Sequence, residues 1–261
     1  MTAGSLAYTY AVARNADALR QTVDGLIGVG GAPVHLVHTT QGGDVVAAVS
    51  HVPEEDFDEA ALSRHLEDLE WLEALARAHH RVIEAIAACT TVLPLRLATV
   101  YLDDNRVRTV LDDRRDVFLG RLRRLAGHVE WGVKLYVDAP PIAPTPSPDL
   151  SPGRAYLRRR RAEQDSRQDA FRAAERAAER IEAVARVYAV DRVRHRLQEG
   201  ELAVGPGVNV SNDAYLVPLD QADPFRADIL RSTDSLAGVR VDITGPWAPY
   251  SFATLQEEGA P

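Results

Sequence analysis

The sequence predicts an α+β protein of two domains, each a β-sheet with helices packed against it. Three observations lead there. Segments with apolar residues at every second position alternate along the chain with segments at helical spacing. A proline-rich run, APPIAPTPSPDLSPG (139–153), interrupts that alternation just past the midpoint. When this run and the long helical segment after it are set aside, the second half reads β-α-β-β-α-β.

LAYTYAVA (6–13) is the first strand, with Leu6, Tyr8, Tyr10 and Val12 on one face at period two. Asn15 caps a short helix whose Leu19, Val23 and Leu26 share a side. PVHLVHTTQ (33–41) and DVVAAVSHV (44–52) flank Gly42-Gly43, a pair that tolerates the positive φ of a two-residue hairpin turn. A long helix is predicted from Asp58 to Cys89, with Leu62, Leu66, Leu69, Leu72, Ala76, Val82, Ile83 and Ile86 around one face. Residues 1–90 therefore read as an N-terminal domain of order β-α-β-β-α.

TVLPLRLATVY (91–101) is the next strand, with Pro94 marking an edge or an irregularity. A helix follows from Asp103 or Asp104 to Ala126, its stripe formed by Val107, Val110, Leu111, Phe118, Leu122 and Leu125, and Gly127 ends it. EWGVKLYV (130–137) returns as a strand. Trp131, Val133, Leu135 and Val137 form its core face, and Glu130, Lys134 and Tyr136 the face expected at the surface.

The prolines of 139–153 make a semi-rigid linker. From Arg154 to Gln198 the chain holds neither proline nor glycine and reads as one inserted helix, about 65 Å long at roughly 1.5 Å per residue. Phe171, Ala174, Ala178, Ile181, Ala185 and Tyr188 give it a narrow coiled-coil-like seam. Strand 207–219, helix 224–236 and strand 239–243 complete the chain. Residues 91–261 then form a second domain whose element order matches the ferredoxin-like split βαβ plan. It carries a long helical insertion and a Pro/aromatic tail, 244–261. The first domain is a shortened version of the same α/β sandwich.

Composition narrows the function classes. The chain has 261 residues, 46% hydrophobic and 26% charged, the balance of a globular protein. A formal net charge of −8 argues against nucleic acid as the main partner. A single cysteine, Cys89, on a mostly apolar helix face, suits packing and a reducing compartment. The opening MTAGSLAYTYAVA lacks the basic start and long apolar run of a signal peptide, and no stretch reaches membrane-spanning length, so a soluble cytoplasmic protein is expected.

Motifs of catalysis are sparse. GVGG (28–31) lacks the Lys-Ser/Thr of a phosphate-binding loop and precedes a strand, so it reads as a turn. His80 and Glu84 lie one helical turn apart, but a zinc site needs three or four ligands and no recognisable spacing supplies the rest. Asp103-Asp104 reads as a helix cap, Asp112-Asp113 as a charged helix face, and RRRR (158–161) as a solvated basic helix end. Neither turnover, nor a cofactor, nor a structural metal is expected.

Several segments together resemble one family. LPLRLATVYLDDNRVRTVLDD (93–113), HVEWGVKLYVD (128–138) and TGPWAPYSF (244–252) are similar to the gas vesicle protein F/L family (GvpF/GvpL). DLEWLEALARAHHRVIEAI (68–86), PGRAYLRRR (152–160) and NVSNDAYLVP (209–218) follow its pattern in the same order. The resemblance implies two α+β domains with ferredoxin-like features and no catalytic residue set. It also implies an accessory or minor structural role in gas vesicle assembly, at the vesicle or in the cytoplasm. The implied partners are the small hydrophobic GvpA-like shell protein and other accessory proteins, with neither nucleic acid nor membrane.

The tail, DITGPWAPYSF (242–252), places Trp247, Pro249, Tyr250 and Phe252 where no ladder can continue. Two uses fit it: cover for this chain's own core, or a docking element for the apolar shell protein. These four residues, with Glu130 and Lys134 on the strand before the linker, are the candidate partner-binding set. Two other classes stand against the assembly reading: a sheet-surface nucleic-acid binder, and a ligand-sensing or enzymatic α+β domain. The first needs exposed aromatics on central strands and a basic face, and the second a convergent polar constellation.

Overall fold

A computed structural model of the chain describes residues 4–65, 67–138, 152–198 and 207–253. The chain divides into two compact units, Met1–His128 with Trp247–Pro261, and Val129–Pro246. Each has its own antiparallel sheet.

In the first unit the central strand is β1 (Ser5–Arg14). On one side it pairs with β3 (Val45–Pro53), which in turn carries β2 (His35–His38) at the sheet edge. On the other side it pairs with two short strands, β4 (Val92–Pro94) and β5 (Val100–Tyr101). The β1–β3 register shifts between Thr9 and Ala11, leaving Tyr10 as an extra residue. That bulge changes the expected face pattern. Leu6, Tyr8 and Tyr10 point into one core, but beyond the bulge Ala11 and Ala13 join it, and Val12 turns to the opposite face.

The helices follow from this double-sided strand. Leu19 and Val23 of α1 (Asp17–Val23), and Leu75, Val82, Ile83 and Ile86 of α4 (Leu69–Ala87), bury against the tyrosine face. On β3, Val46 and Ala48 share that core, whereas Val45, Ala47 and Val49 are buried on the reverse face. There α5 (Asp104–Asp113) and α6 (Arg115–Leu125) pack across the strands, burying Val107, Leu111, Phe118 and Leu122. This sheet is thus covered by helices on both faces.

Three predicted elements break into pieces, each for a local reason. The strand expected over 91–101 is two short strands separated by a turn. Ala98 takes a positive φ there, and its N–H is bonded by the Tyr8 hydroxyl instead of a ladder partner. Because both pieces pair with β1, the domain boundary expected at 90/91 falls inside the first unit. The helix expected over 58–89 is α3 (Glu59–His65) and α4, with a separate short helix α2 (Glu54–Phe57) before it. Asp68 accepts from the N–H groups of Glu70 and Trp71 and starts a new helix, which resets the phase and leaves Leu69 77% exposed. The helix over 103–126 divides at Arg114, whose φ of −113° is not helical.

The second unit runs β6 (His128–Val137), α7 (Pro152–Tyr188), β7 (Asp191–Arg194), β8 (Val208–Pro218), α8 (Ala222–Thr233) and β9 (Val239–Trp247). Its sheet order is β7-β8-β6-β9. The β-α-β-β-α-β order therefore arises from different elements than expected: α7 is a crossover helix from β6 to β7, two strands of the same sheet with β8 between them, and not an insertion. It stops at Tyr188, ten residues short of the expected end, because the Val190 N–H bonds the Leu216 carbonyl and opens the β7–β8 ladder. No proline or glycine announces that change. The buried stripe of α7 is Ala170, Ala174, Ala177, Ile181 and Ala185, so Phe171 and Ala178 of the expected seam lie outside it. Residues 139–151 of the expected linker and 254–261 of the tail lie outside the described residues.

Buried polar groups tie the tyrosine face together. The Tyr10 hydroxyl accepts from the Val29 N–H at 2.7 Å and donates to Ser50 Oγ at 3.0 Å, which donates to the Pro33 carbonyl at 3.0 Å. Gly28 sits so close that a Cβ there would fall 2.0 Å from the Tyr10 oxygen, which requires glycine. The Tyr8 hydroxyl lies in hydrogen-bond contact with His79 Nδ1 at 2.9 Å. Burial holds His79 well below the ordinary histidine range, at about 4; the Leu95 backbone works in the opposite direction, and neighbouring His80 adds to the lowering.

The sign of the resulting pH dependence is fixed by this depression. Above the ordinary value of about 6.5 the unfolded and folded chains both carry neutral His79, and its full contribution is present. As pH falls toward 4 the unfolded state takes up a proton that the fold refuses, so up to about 3 kcal/mol is lost. Between about pH 7 and about pH 5, urea denaturation should show wild type losing roughly 2 kcal/mol more than His79→Gln. Equal losses in the two proteins would contradict this burial.

Candidate functional site

The sequence of the tail sets its path. β9 runs past the expected end at 243, through Pro246 to Trp247, and the chain from Trp247 onward belongs to the first unit. Ala248 and Pro249 are buried, Ala248 within the core shared with Tyr8 and Ile83. The short helix α9 (Tyr250–Ala253) then packs Tyr250 against the same core.

His80 of α4 is the fixed point of the segment. Its Nδ1 lies 3.1 Å from the Tyr250 hydroxyl, and its Nε2 lies 3.0 Å from Glu84 Oε1 one turn along the helix. The Trp247 ring meets the imidazole edge-on, with centroids 5.4 Å apart. His80 and Glu84 thus act as a clamp on the tail. Pro249 is under cover and Tyr250 and Phe252 are half-buried, but Trp247 stays 38% exposed. The base of the segment is anchored on the core, and part of the indole is left exposed.

The remaining candidates, Glu130 and Lys134, lie in the second unit. Glu130 is buried, and Lys134 is half-exposed. Tyr136, expected on a surface face, is 1% exposed. The Arg240 guanidinium stacks 4.1 Å from its ring centroid, and its hydroxyl donates to Gln198 Oε1 at 3.1 Å. Trp131, Val133, Leu135 and Val137 face the core of that unit. RRRR (158–161) is exposed along the first half of α7, and Cys89 is half-buried with its thiol toward the Ile86 carbonyl.

Sequence spacing missed one cluster. His35 on β2, His51 on β3 and Asp104 at the start of α5 converge in the first unit. His35 Nε2 is 2.9 Å from Asp104 Oδ2, and His51 Nε2 is 3.1 Å from Asp104 Oδ1. Strand pairing brings them together: His35 faces Val49, so His51 lies two residues further on the same face of β3. Asp103 caps α5 through the Arg106 N–H, as expected, which leaves Asp104 to turn toward the two imidazoles. Among the described residues no helix is long and apolar enough to cross a membrane.

The relatives of the chain agree with this architecture. Residues 6–254 match the family described as gas vesicle synthesis protein GvpL/GvpF. The chain belongs to that family. It is 44% identical to gas vesicle protein L of Streptomyces sp. (strain CB03234), covering 99% of this chain and 96% of the relative. With gas vesicle protein F of the same strain it shares 29% identity over 94% of this chain and 98% of the relative. In solved structures its fold resembles that of GvpF from Anabaena sp. PCC7120, with a TM-score of 0.67 at 17% identity over 99% of this chain and 100% of that one. GvpF from Microcystis aeruginosa gives a TM-score of 0.64, also at 17% identity, over 96% and 99% of the two chains. The protein is therefore gas vesicle-associated.

Because its indole is partly in solvent, Trp247 should add little to folding. Trp247→Ala is expected to cost about 1–2 kcal/mol in chemical denaturation, below the roughly 3–5 kcal/mol of a fully buried tryptophan. A loss in the higher range would identify the ring as cover for the core.

Proposed function

We propose that this chain is a non-enzymatic accessory protein of gas vesicle assembly, acting in the cytoplasm or at the vesicle, that binds the small hydrophobic GvpA-like shell protein. Membership of the GvpL/GvpF family over residues 6–254 is the observation that carries the reading. The higher identity to the L protein than to the F protein of one Streptomyces strain supports an L-type role. The docking element is the tail, with Trp247 as its accessible group and Pro249, Tyr250 and Phe252 holding it in place. Glu130 and Lys134 form at most a secondary contact.

The physical logic is that of an apolar subunit kept from nonspecific association. An acidic, soluble partner that offers a small apolar surface can mask such a subunit while its own charge opposes self-aggregation. The net charge of −8 also speaks against a nucleic-acid role. The second unit fits the ferredoxin-like plan, a reading supported by its β-α-β-β-α-β order and its β7-β8-β6-β9 sheet. In this reading the unit is a scaffold and carries no chemistry.

Apolar contact has a measurable consequence. Purified full-length chain should capture the shell protein in a pull-down, and capture should persist in about 0.5 M salt, where screening over a few ångströms removes most charge attraction. Trp247→Ala should weaken capture per folded molecule. Absence of capture by the intact chain at every salt concentration would overturn the proposal.

A further inference from the structure

The cluster of His35, His51 and Asp104 has the donor set of a transition-metal site, and the geometry points to it as a site for a divalent ion of the zinc class. The donor atoms of all three residues lie within 4.8 Å of one another. Each comes from a different element, β2, β3 and α5, so their approach is made by the tertiary fold and not by one flexible loop. The two imidazole rings lie with centroids 4.7 Å apart at 55°, so that both Nε2 atoms reach the same carboxylate.

Zinc holds imidazole nitrogen and carboxylate oxygen at about 2.0–2.2 Å, so tetrahedral donors stand roughly 3.3–3.5 Å apart. The two contacts here, 2.9 and 3.1 Å, are a few tenths shorter. An ion would enter by spreading these contacts slightly and drawing the imidazoles together, through side-chain rotation at a partly exposed surface. The side chains of His35, His51 and Asp104 are 36%, 58% and 30% exposed, which leaves the fourth coordination position open to water or to a donor from another molecule. Two nitrogens and one oxygen favour zinc, cobalt or nickel over calcium or magnesium, which select all-oxygen cages.

Binding would also move protons in a defined way. A carboxylate only accepts, so in the metal-free protein both Nε2 atoms carry the hydrogens given to Asp104. A metal needs the Nε2 lone pair, so each neutral ring must shift its hydrogen to Nδ1. Metal and the two His–Asp hydrogen bonds therefore exclude one another, and the site has two alternative closed states.

Zinc chloride titrated into chelator-stripped, full-length protein should give a saturable one-to-one isotherm in calorimetry. Nitrogen-15 NMR should show Nε2 of His35 and His51 passing from protonated to metal-bound shifts, while His79 and His80 stay unchanged. His51→Gln, at the most exposed of the three positions, and Asp104→Asn should each lower zinc affinity at least about tenfold, with circular dichroism confirming that both remain folded. If either variant should unfold, the nitrogen-15 shifts of the wild-type protein decide alone. No heat of binding with stoichiometric zinc, or affinity and shifts unaltered when His51 is replaced, would overturn the site.

Discussion

One extra residue in the central strand governs the first unit. β1 is buried on both faces, so every side chain on it must find a core. Without an irregularity, period two would keep Leu6, Tyr8, Tyr10 and Val12 on one side and the alanines on the other. The bulge at Tyr10 exchanges these sides halfway along. Large rings then fill the space under α4 at one end of the strand, and small alanines admit α1 and the short strand β4 at the other. The Tyr10 hydroxyl fixes what the bulge releases: through Val29, Ser50 and Pro33 it pins the turn that leads into β2. The position of His35 beside His51 depends on that turn, because the register of β2 against β3 begins where Pro33 is held.

Helix α4 translates this interior into a surface. His79 turns inward to Tyr8 and is kept neutral by burial, while His80, the next residue, turns outward to Tyr250, Trp247 and Glu84. The core that stabilises the first unit therefore also seats the C-terminal segment. In the proposed docking role, a segment anchored in this way would present its indole at a fixed place, which reduces the ordering cost that a free tail would incur on binding.

Much of the fold was readable from local pattern. Period two located β1, β3, β6 and β8, helical spacing located the buried faces of α5 and α6 and the C-terminal half of that of α4 (Val82, Ile83, Ile86), and Asp103 announced the cap of α5. What local pattern could not carry was phase. Nothing in LAYTYAVA marks Tyr10 as the extra residue, since its cause is the hydroxyl partners supplied by residues 28–50. Asp68 restarts a helix without a proline or glycine to signal it, and Leu69 consequently lies on the solvent side. In α7 the clustered alanines at 173, 174, 177 and 178 permit two stripes one residue apart, and packing chooses between them. The tail was legible as a conflict between strand and proline, although not in its attachment to His80. The His35–His51–Asp104 cluster was illegible because its members lie on three elements, and only pairing brings them together.

The dependence of the first unit on the Tyr10 hydroxyl is open to direct measurement. Tyr10→Phe keeps the aromatic ring and its apolar contacts, and removes one oxygen. Val29 N–H and Ser50 Oγ then lose a partner in a dry environment, which should cost about 1–3 kcal/mol in urea denaturation with an unchanged m-value. A variant as stable as the wild type would show that the bulge holds without its hydroxyl and that the turn into β2 is fixed by other contacts.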